Sequence, residues 1–94
     1  MTYSSEEKLQ LKVDDVVWRD VGDELVVLEL STSAYLTLNG SAKHLWEGLA
    51  SGATSDALVQ MLVDRYQITT QQARSDTEAF LSALAERELL VRAV

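Results

Sequence analysis

The sequence predicts an α+β fold in which a three-stranded antiparallel sheet is followed by three helices. Apolar residues alternate with a period of two as far as Leu38, and they recur at three- and four-residue spacings from Ser41 onward. A chain of 94 residues is long enough for one modest core. We therefore expect a single domain over residues 1–94, in which residues 1–13 form a flexible or extended arm.

The three strands are predicted from runs of branched and aromatic residues that turn signals separate. The first strand covers residues 16–20 and ends at the turn of Gly22 and Asp23, the second covers 24–30, and the third covers 34–38. With the helices on one face of this sheet, the third strand keeps a row of unpaired backbone donors and acceptors. This open edge is the feature on which we expect function to depend.

The register of the second hairpin is predicted from the face that it makes apolar. A two-residue loop at 32–33 would scatter polar and apolar groups over both faces, whereas a three-residue loop at 31–33 makes one face wholly apolar. The favoured pairs are Leu30 with Ala34, Leu28 with Leu36, and Val26 with Leu38. The outer face is then expected to carry Leu25, Val27, Glu29, Tyr35 and Thr37. By the same parity, Val16 and Trp18 point inward.

The helices are predicted from capping residues and apolar stripes. We expect them at residues 41 to about 50, 55–66, and from about 70 to 88. Their caps are predicted to be Asn39, Thr54, and Thr69 or Thr70. The third helix should bury Ala73, Thr77, Phe80, Leu81 and Leu84. The second and third helices are predicted to form a helix-turn-helix. Together with the sheet they predict a winged-helix-like arrangement in which the strands precede the helices in the chain.

Composition argues against several classes of function. The chain has 8 Lys and Arg against 15 Asp and Glu, a net charge of -7, and the exposed side of the third helix has four acids against two bases. Phosphate would be repelled, so nucleic-acid binding is disfavoured. One histidine, His44, and no cysteine leave no basis for a metal site, a cofactor or a catalytic nucleophile. No signal peptide or membrane-spanning run of about 20 apolar residues is present, which favours a cytoplasmic protein.

One flank of the third helix could form the wall of a groove. Asp76, Ala83 and Arg87 fall beside Phe80 on a helical wheel, away from the core stripe. An acid, a small residue and the edge of a large ring suit such a wall. An ordinary solvated helix boundary is the alternative interpretation.

Two motifs carry a resemblance that extends over residues 16–91. The first has the pattern T-x-x-Y-x-x-L-N, from Thr32 to Asn39, and is followed by Trp46. The second has the pattern D-x-x-x-F-L-x-x-L, from Asp76 to Leu84. With them the chain resembles the PqqD-like family of recognition elements for ribosomally made precursor peptides. It resembles most the stand-alone recognition proteins of lasso-peptide biosynthesis. Relatives often carry Gly at the position of Ser33.

The resemblance implies a non-catalytic adaptor. Such proteins bind the leader of a precursor peptide as an added antiparallel strand, in the cleft between the third strand and the third helix, and present it to a leader peptidase of the cysteine-protease-like type. In the lasso branch the leader carries a Tyr-x-x-Pro motif followed by an apolar residue. The implied binding residues are Glu29, Ala34, Tyr35, Leu36, Thr37, Asp76, Phe80 and Leu84. The alternatives are a peptide chaperone that serves a radical enzyme in a cofactor pathway and, with less support, a small winged-helix DNA-binding regulator.

Overall fold

The computed structural model describes residues 7–12 and 14–92. In chain order its elements are β1 Lys8–Leu11, β2 Val16–Val21, β3 Glu24–Glu29, β4 Tyr35–Asn39, α1 Gly40–Ala50, β5 Ala53–Thr54, α2 Ser55–Tyr66, α3 Thr70–Glu86 and β6 Leu90–Arg92. The α+β fold with three helices is confirmed within the described residues. The winged-helix likeness stays a prediction.

The prediction of one three-stranded sheet was wrong, because the described residues form two antiparallel sheets of three strands. The predicted sheet is present with strand order β2-β3-β4, and a second sheet has the order β5-β1-β6. In the second sheet Leu9 of β1 lies between Ala53 and Arg92. Residues 8–11 of the predicted arm are thus extended, and they form the central strand of this sheet. Residues 1–6 and Val13 lie outside the described part of the chain.

The predicted register of the β3–β4 hairpin was wrong by one residue. Leu28 pairs with Tyr35, Val27 with Leu36, and Leu25 with Leu38. A four-residue loop, 30–33, connects the strands and is closed by a hydrogen bond from the Glu29 N–H to the Ala34 carbonyl at 2.8 Å. Ser33 takes the left-handed conformation that this loop needs, with φ 59°.

The shifted register reverses the two faces of β3. Leu25 and Val27, expected on the outer face, are buried at 1% and 0% exposure. Val26 and Leu28, expected inside, lie on the outer face, and Leu30 is exposed in the loop. Because β3 is apolar on both sides, the alternation of side chains alone could not decide between the two registers. Glu29, also expected on the outer face, lies on the same side of β3 as Leu25 and Val27, and it pairs with Ala34, for which Leu30 was the expected partner.

The caps of α2 and α3 follow the sequence closely. Thr54 Oγ1 accepts a hydrogen bond from the Ala57 N–H, and Thr69 Oγ1 accepts one from the Gln72 N–H, both at 3.0 Å. Asn39 stands at the N-cap of α1 as predicted, but its side chain makes no capping hydrogen bond. These caps fix where α2 and α3 begin.

The core lies between the helices and the inner face of the β2-β3-β4 sheet. Its centre includes Trp46 of α1, fully buried, against which the Trp18 ring of β2 stacks edge-on at 5.4 Å between ring centroids. Trp18 thus lies on the inner face as predicted, but its position on an edge strand leaves it 38% exposed. Leu9 of β1 is fully buried in the same cluster, so the arm is part of the core.

Helix α1 is also tied to the sheet by charge. Lys43 Nζ lies 2.9 Å from Asp20 Oδ1 of β2 and 3.5 Å from the Gly22 carbonyl. The hydrogen bond to Asp20 raises the pKa of Lys43 above its ordinary value. His44, the one histidine, is partly buried on α1, with Nδ1 3.2 Å from Glu47 Oε1.

Candidate functional site

Within residues 7–12 and 14–92, the backbone of β4 has a partner strand on one side only. β4 is the last strand in the order β2-β3-β4. The hydrogen bond between Glu29 and Ala34 sets the alternation of the antiparallel ladder, so the backbone groups of Leu36 and Leu38 point toward β3. The N–H and C=O groups of Tyr35 and Thr37 consequently point outward. The described structure therefore offers two residues whose donors and acceptors could receive another strand.

A stripe of α3 runs beside the core and presents several kinds of side chain. Its members are separated by four, three and four residues, so they lie on one side of the helix over about 16 Å. They are Asp76, Phe80, Ala83 and Arg87. Asp76 and Phe80 are partly buried and Ala83 is exposed. Phe80 packs against the core with part of its ring, so some of its edge remains accessible.

An ion pair joins this stripe to the sheet. Arg87 Nη1 donates to Glu29 Oε2 at 2.8 Å, between the C-cap of α3 and the end of β3. The Glu29 side chain is only 14% exposed, whereas that of Arg87 is 44% exposed. Because Glu29 also pairs with Ala34 through the backbone, the ion pair anchors α3 next to the first residues of β4. The pair marks one end of the region between β4 and α3, where the resemblance implies a leader-binding cleft, and we call this region the β4–α3 cleft.

The binding residues implied by the resemblance take different positions around this cleft. Tyr35 and Thr37 are exposed on the outer face of β4, and Tyr35 is 69% exposed. Leu36 is partly buried and points to the inner face, where it packs against the core. Ala34 is exposed and precedes the strand, and its N–H donates to Thr32 Oγ1 at 3.2 Å.

On the helix side, one implied residue does not reach the surface. Leu84 is 1% exposed and belongs to the core, unlike Phe80. Asp76 Oδ1 accepts a hydrogen bond from Gln72 Nε2 at 2.8 Å, which holds the carboxylate at the half-buried edge of α3. The accessible helical wall is therefore Asp76, Phe80 and Arg87 rather than Leu84.

Two structural features near the β4–α3 cleft and on the same sheet were missing from the implied set. Arg87 had been placed on the flank of α3 by the helical wheel, but its contact with Glu29 spans 58 residues of sequence and no local pattern could reveal it. The second is the other open edge of the same sheet. β2 also has a neighbour on one side only, and the ladder directs the backbone groups of Trp18 and Asp20 outward.

The described residues give no indication of metal chemistry or of a membrane span. Over residues 7–12 and 14–92, no three His, Cys, Asp or Glu side chains come together as metal ligands would. Over the same residues, no helix has both the length and the apolar character that crossing a bilayer requires.

Known structures identify the class of fold. A structure of TbiB1 in complex with the TbiA(beta) leader peptide superimposes with a TM-score of 0.79, at 31% sequence identity, over 86% of this chain and 93% of that one. A lasso peptide synthetase B1 complexed with its leader peptide superimposes with a TM-score of 0.78, at 20% identity, over 88% and 96% of the two chains. No curated protein matches the chain. The fold is thus that of small α+β proteins solved with leader peptides.

Residues 24–90 match the family model described as coenzyme PQQ synthesis protein D, PqqD. The match covers more than two thirds of the 94 residues, and it includes β3, β4 and all three described helices. The chain belongs to the PqqD family, as the sequence motifs predicted.

Proposed function

We propose that this protein is a non-catalytic adaptor that binds the leader segment of a ribosomally made precursor peptide, of the lasso type, and presents it to a leader peptidase. The leader binds as an added antiparallel strand on β4, in the β4–α3 cleft. The observation that carries the proposal is the outward direction of the Tyr35 and Thr37 backbone groups at an edge without a partner strand. Support comes from the 31% identical TbiB1, which was solved with a leader peptide.

Binding of this kind divides affinity and selectivity between two sets of groups. Backbone hydrogen bonds to Tyr35 and Thr37 contribute about 0.5–1.5 kcal/mol each, and they do not depend on the amino-acid sequence of the bound peptide. Alternate side chains of an added strand point toward the inner side, where Phe80 gives an apolar contact and Asp76 gives a negative charge. A leader with an apolar residue and a nearby lysine fits this wall, and the net charge of -7 attracts it over longer distances.

A second candidate follows from the family match. Its description refers to the synthesis of a quinone coenzyme, and the alternative is a peptide chaperone that serves a radical enzyme in such a pathway. The two candidates share the binding mode and differ in the peptide. Titration with a Tyr-x-x-Pro leader and with a leader from the coenzyme pathway separates them, since the tighter ligand identifies the pathway.

The experiment that tests the binding mode is a titration of a labelled Tyr-x-x-Pro leader peptide, followed by fluorescence anisotropy. Thr37→Pro removes an outward-pointing donor without removing a hydrogen bond to β3. We expect it to weaken binding by about tenfold or more, because the proline ring also obstructs the edge. Thr37→Val, which keeps the N–H, should change affinity by less than about threefold. Equal affinities for the two variants would exclude strand addition on β4.

The adaptor role is tested separately. The purified protein alone should leave the precursor intact, and adding the separate peptidase should start cleavage at the leader junction. Cleavage by this protein without the peptidase would contradict a non-catalytic role.

A further inference from the structure

The outer face of the β2-β3-β4 sheet is apolar although none of the described helices covers it. Its exposed members include Val17 and Val21 of β2, 50% and 51% exposed, and Tyr35 of β4. Val26 and Leu28 of β3 lie between them and are partly buried. An open depression of about 430 Å³ on this side is lined by Val17, Trp18, Arg19, Val21, Val26 and Leu28. Single exposed apolar residues are ordinary, but a contiguous apolar patch on three neighbouring strands indicates a contact surface.

We infer that this outer face docks the processing enzyme to which the bound precursor is presented, an inference that rests on the proposed function. The partner surface that fits has an apolar centre, one hydrogen-bond acceptor and basic residues at two opposite ends. The apolar centre covers the valines of β2 and β3. The acceptor would face Arg19. Among the described residues of this sheet whose side chains point outward, Arg19 is the one cation.

Charge favours a basic partner over a second copy of this chain. Asp14 and Asp15 immediately precede β2 at one end of the face, and at the other end Asp23 lies in the turn and Glu24 begins β3. Two copies packed face to face would bring acids against acids in either strand orientation, on chains that each carry a charge of -7. Basic residues at the two ends of a different protein would instead be attracted.

The face is continuous with the edge that receives the leader. Tyr35 and Thr37 contribute their side chains to the outer face and their backbone groups to the free edge of β4. A strand added to β4 would therefore extend the outer face by a fourth strand. An enzyme seated on this face would contact the adaptor and the peptide together, while the helices on the opposite face stay clear of it.

The test compares the double variant Val17→Lys/Val21→Lys with Val91→Lys. Val91 is a matched control because it is also an exposed valine, at 40%, in a strand of the other sheet. Purified leader peptidase of the same pathway is titrated onto each protein, with and without the synthetic leader, and leader binding is measured separately. Circular dichroism and a melting curve verify that each variant is folded.

We expect the double variant to bind the peptidase at least about tenfold more weakly, while Val91→Lys and the leader affinities of all variants stay unchanged. Unchanged peptidase binding by the folded double variant, or no peptidase binding by the original protein, would overturn the inference. So would self-association of the original protein that the double variant abolishes, because the occupant would then be a second copy. If the original protein binds peptidase but no leader, the docking surface stands and the proposed leader binding fails.

Discussion

Arg87 at the end of α3 donates a hydrogen bond to Glu29 at the end of β3, with 2.8 Å between Nη1 and Oε2. This contact links α3 to the sheet whose last strand is β4. Its position beside the first residues of β4 means that a change in the pair can alter the width of the cleft without touching the exposed backbone.

A double-mutant cycle with Glu29→Gln and Arg87→Gln should show a coupling free energy of about 0.5–1 kcal/mol in urea unfolding. Partly exposed ion pairs lie in this range, and the low exposure of Glu29 favours its upper half. Each single variant should also weaken leader binding by about threefold, because α3 is less firmly held against the sheet. If the two substitutions change the free energy of unfolding additively, the ion pair contributes nothing to stability.

The arm should be essential for folding. Leu9→Ala is expected to lower the free energy of unfolding by about 2–5 kcal/mol, since Leu9 is fully buried in the core. Gln10→Ala, at the exposed neighbouring position of β1, should change it by less than about 0.5 kcal/mol. Urea denaturation measures both, and a small effect of Leu9→Ala would mean that the arm is only appended to the domain.

Substitutions of Phe80 and Leu84 in α3 should affect leader binding and folding stability differently. Phe80→Ala should weaken leader binding by about tenfold, because the partly exposed ring is the apolar contact that we propose for the leader. Leu84→Ala should instead lower the free energy of unfolding by about 2–5 kcal/mol and leave the affinity of the folded protein nearly unchanged. Urea denaturation and leader titration on both variants test this, and the reverse pattern would place Leu84 rather than Phe80 at the cleft.

Asp76 should supply part of the attraction for a lysine-containing leader. Asp76→Asn keeps the shape of the side chain and removes its charge, so it should weaken binding by about threefold at low salt and reduce the loss of affinity on raising the salt to about 0.5 M. Asp64→Asn is a matched control, because Asp64 accepts the same type of hydrogen bond, from Gln60 Nε2 at 2.8 Å, on α2. Equal effects of the two substitutions would assign the salt dependence to net charge alone.

How far the sequence predicts this molecule depends on how local each signal is. The caps Thr54 and Thr69 and the alternation in β4 are local, and the structure has the helices and the edge strand where they indicate. The second sheet was not predicted, since β5 and β6 have two and three residues and show no usable period. Their pairing with β1 depends on contacts between residues far apart in sequence.

The same distinction explains the site. The open edge of β4 could be predicted because β4 is the last strand of a meander, and helices on one face of the sheet leave its edge strands without a partner. The burial of Leu84 could be predicted as well, because the apolar stripe of α3 includes it, whereas its binding role was implied only by the resemblance. The register of β3 could not be predicted, since Val26 and Val27 are equally apolar and only the four-residue loop with Ser33 at φ 59° decides which one is buried.

Backbone amide exchange, with and without the leader peptide, tests strand addition on β4 most directly. The sheet has two open edges, so the outward amides of Trp18 and Asp20 on β2 are an internal control for those of Tyr35 and Thr37 on β4. We expect the leader to slow exchange at Tyr35 and Thr37, and to leave Trp18 and Asp20 unchanged. Protection confined to β2, or to α1 and α2, would contradict leader binding in the β4–α3 cleft.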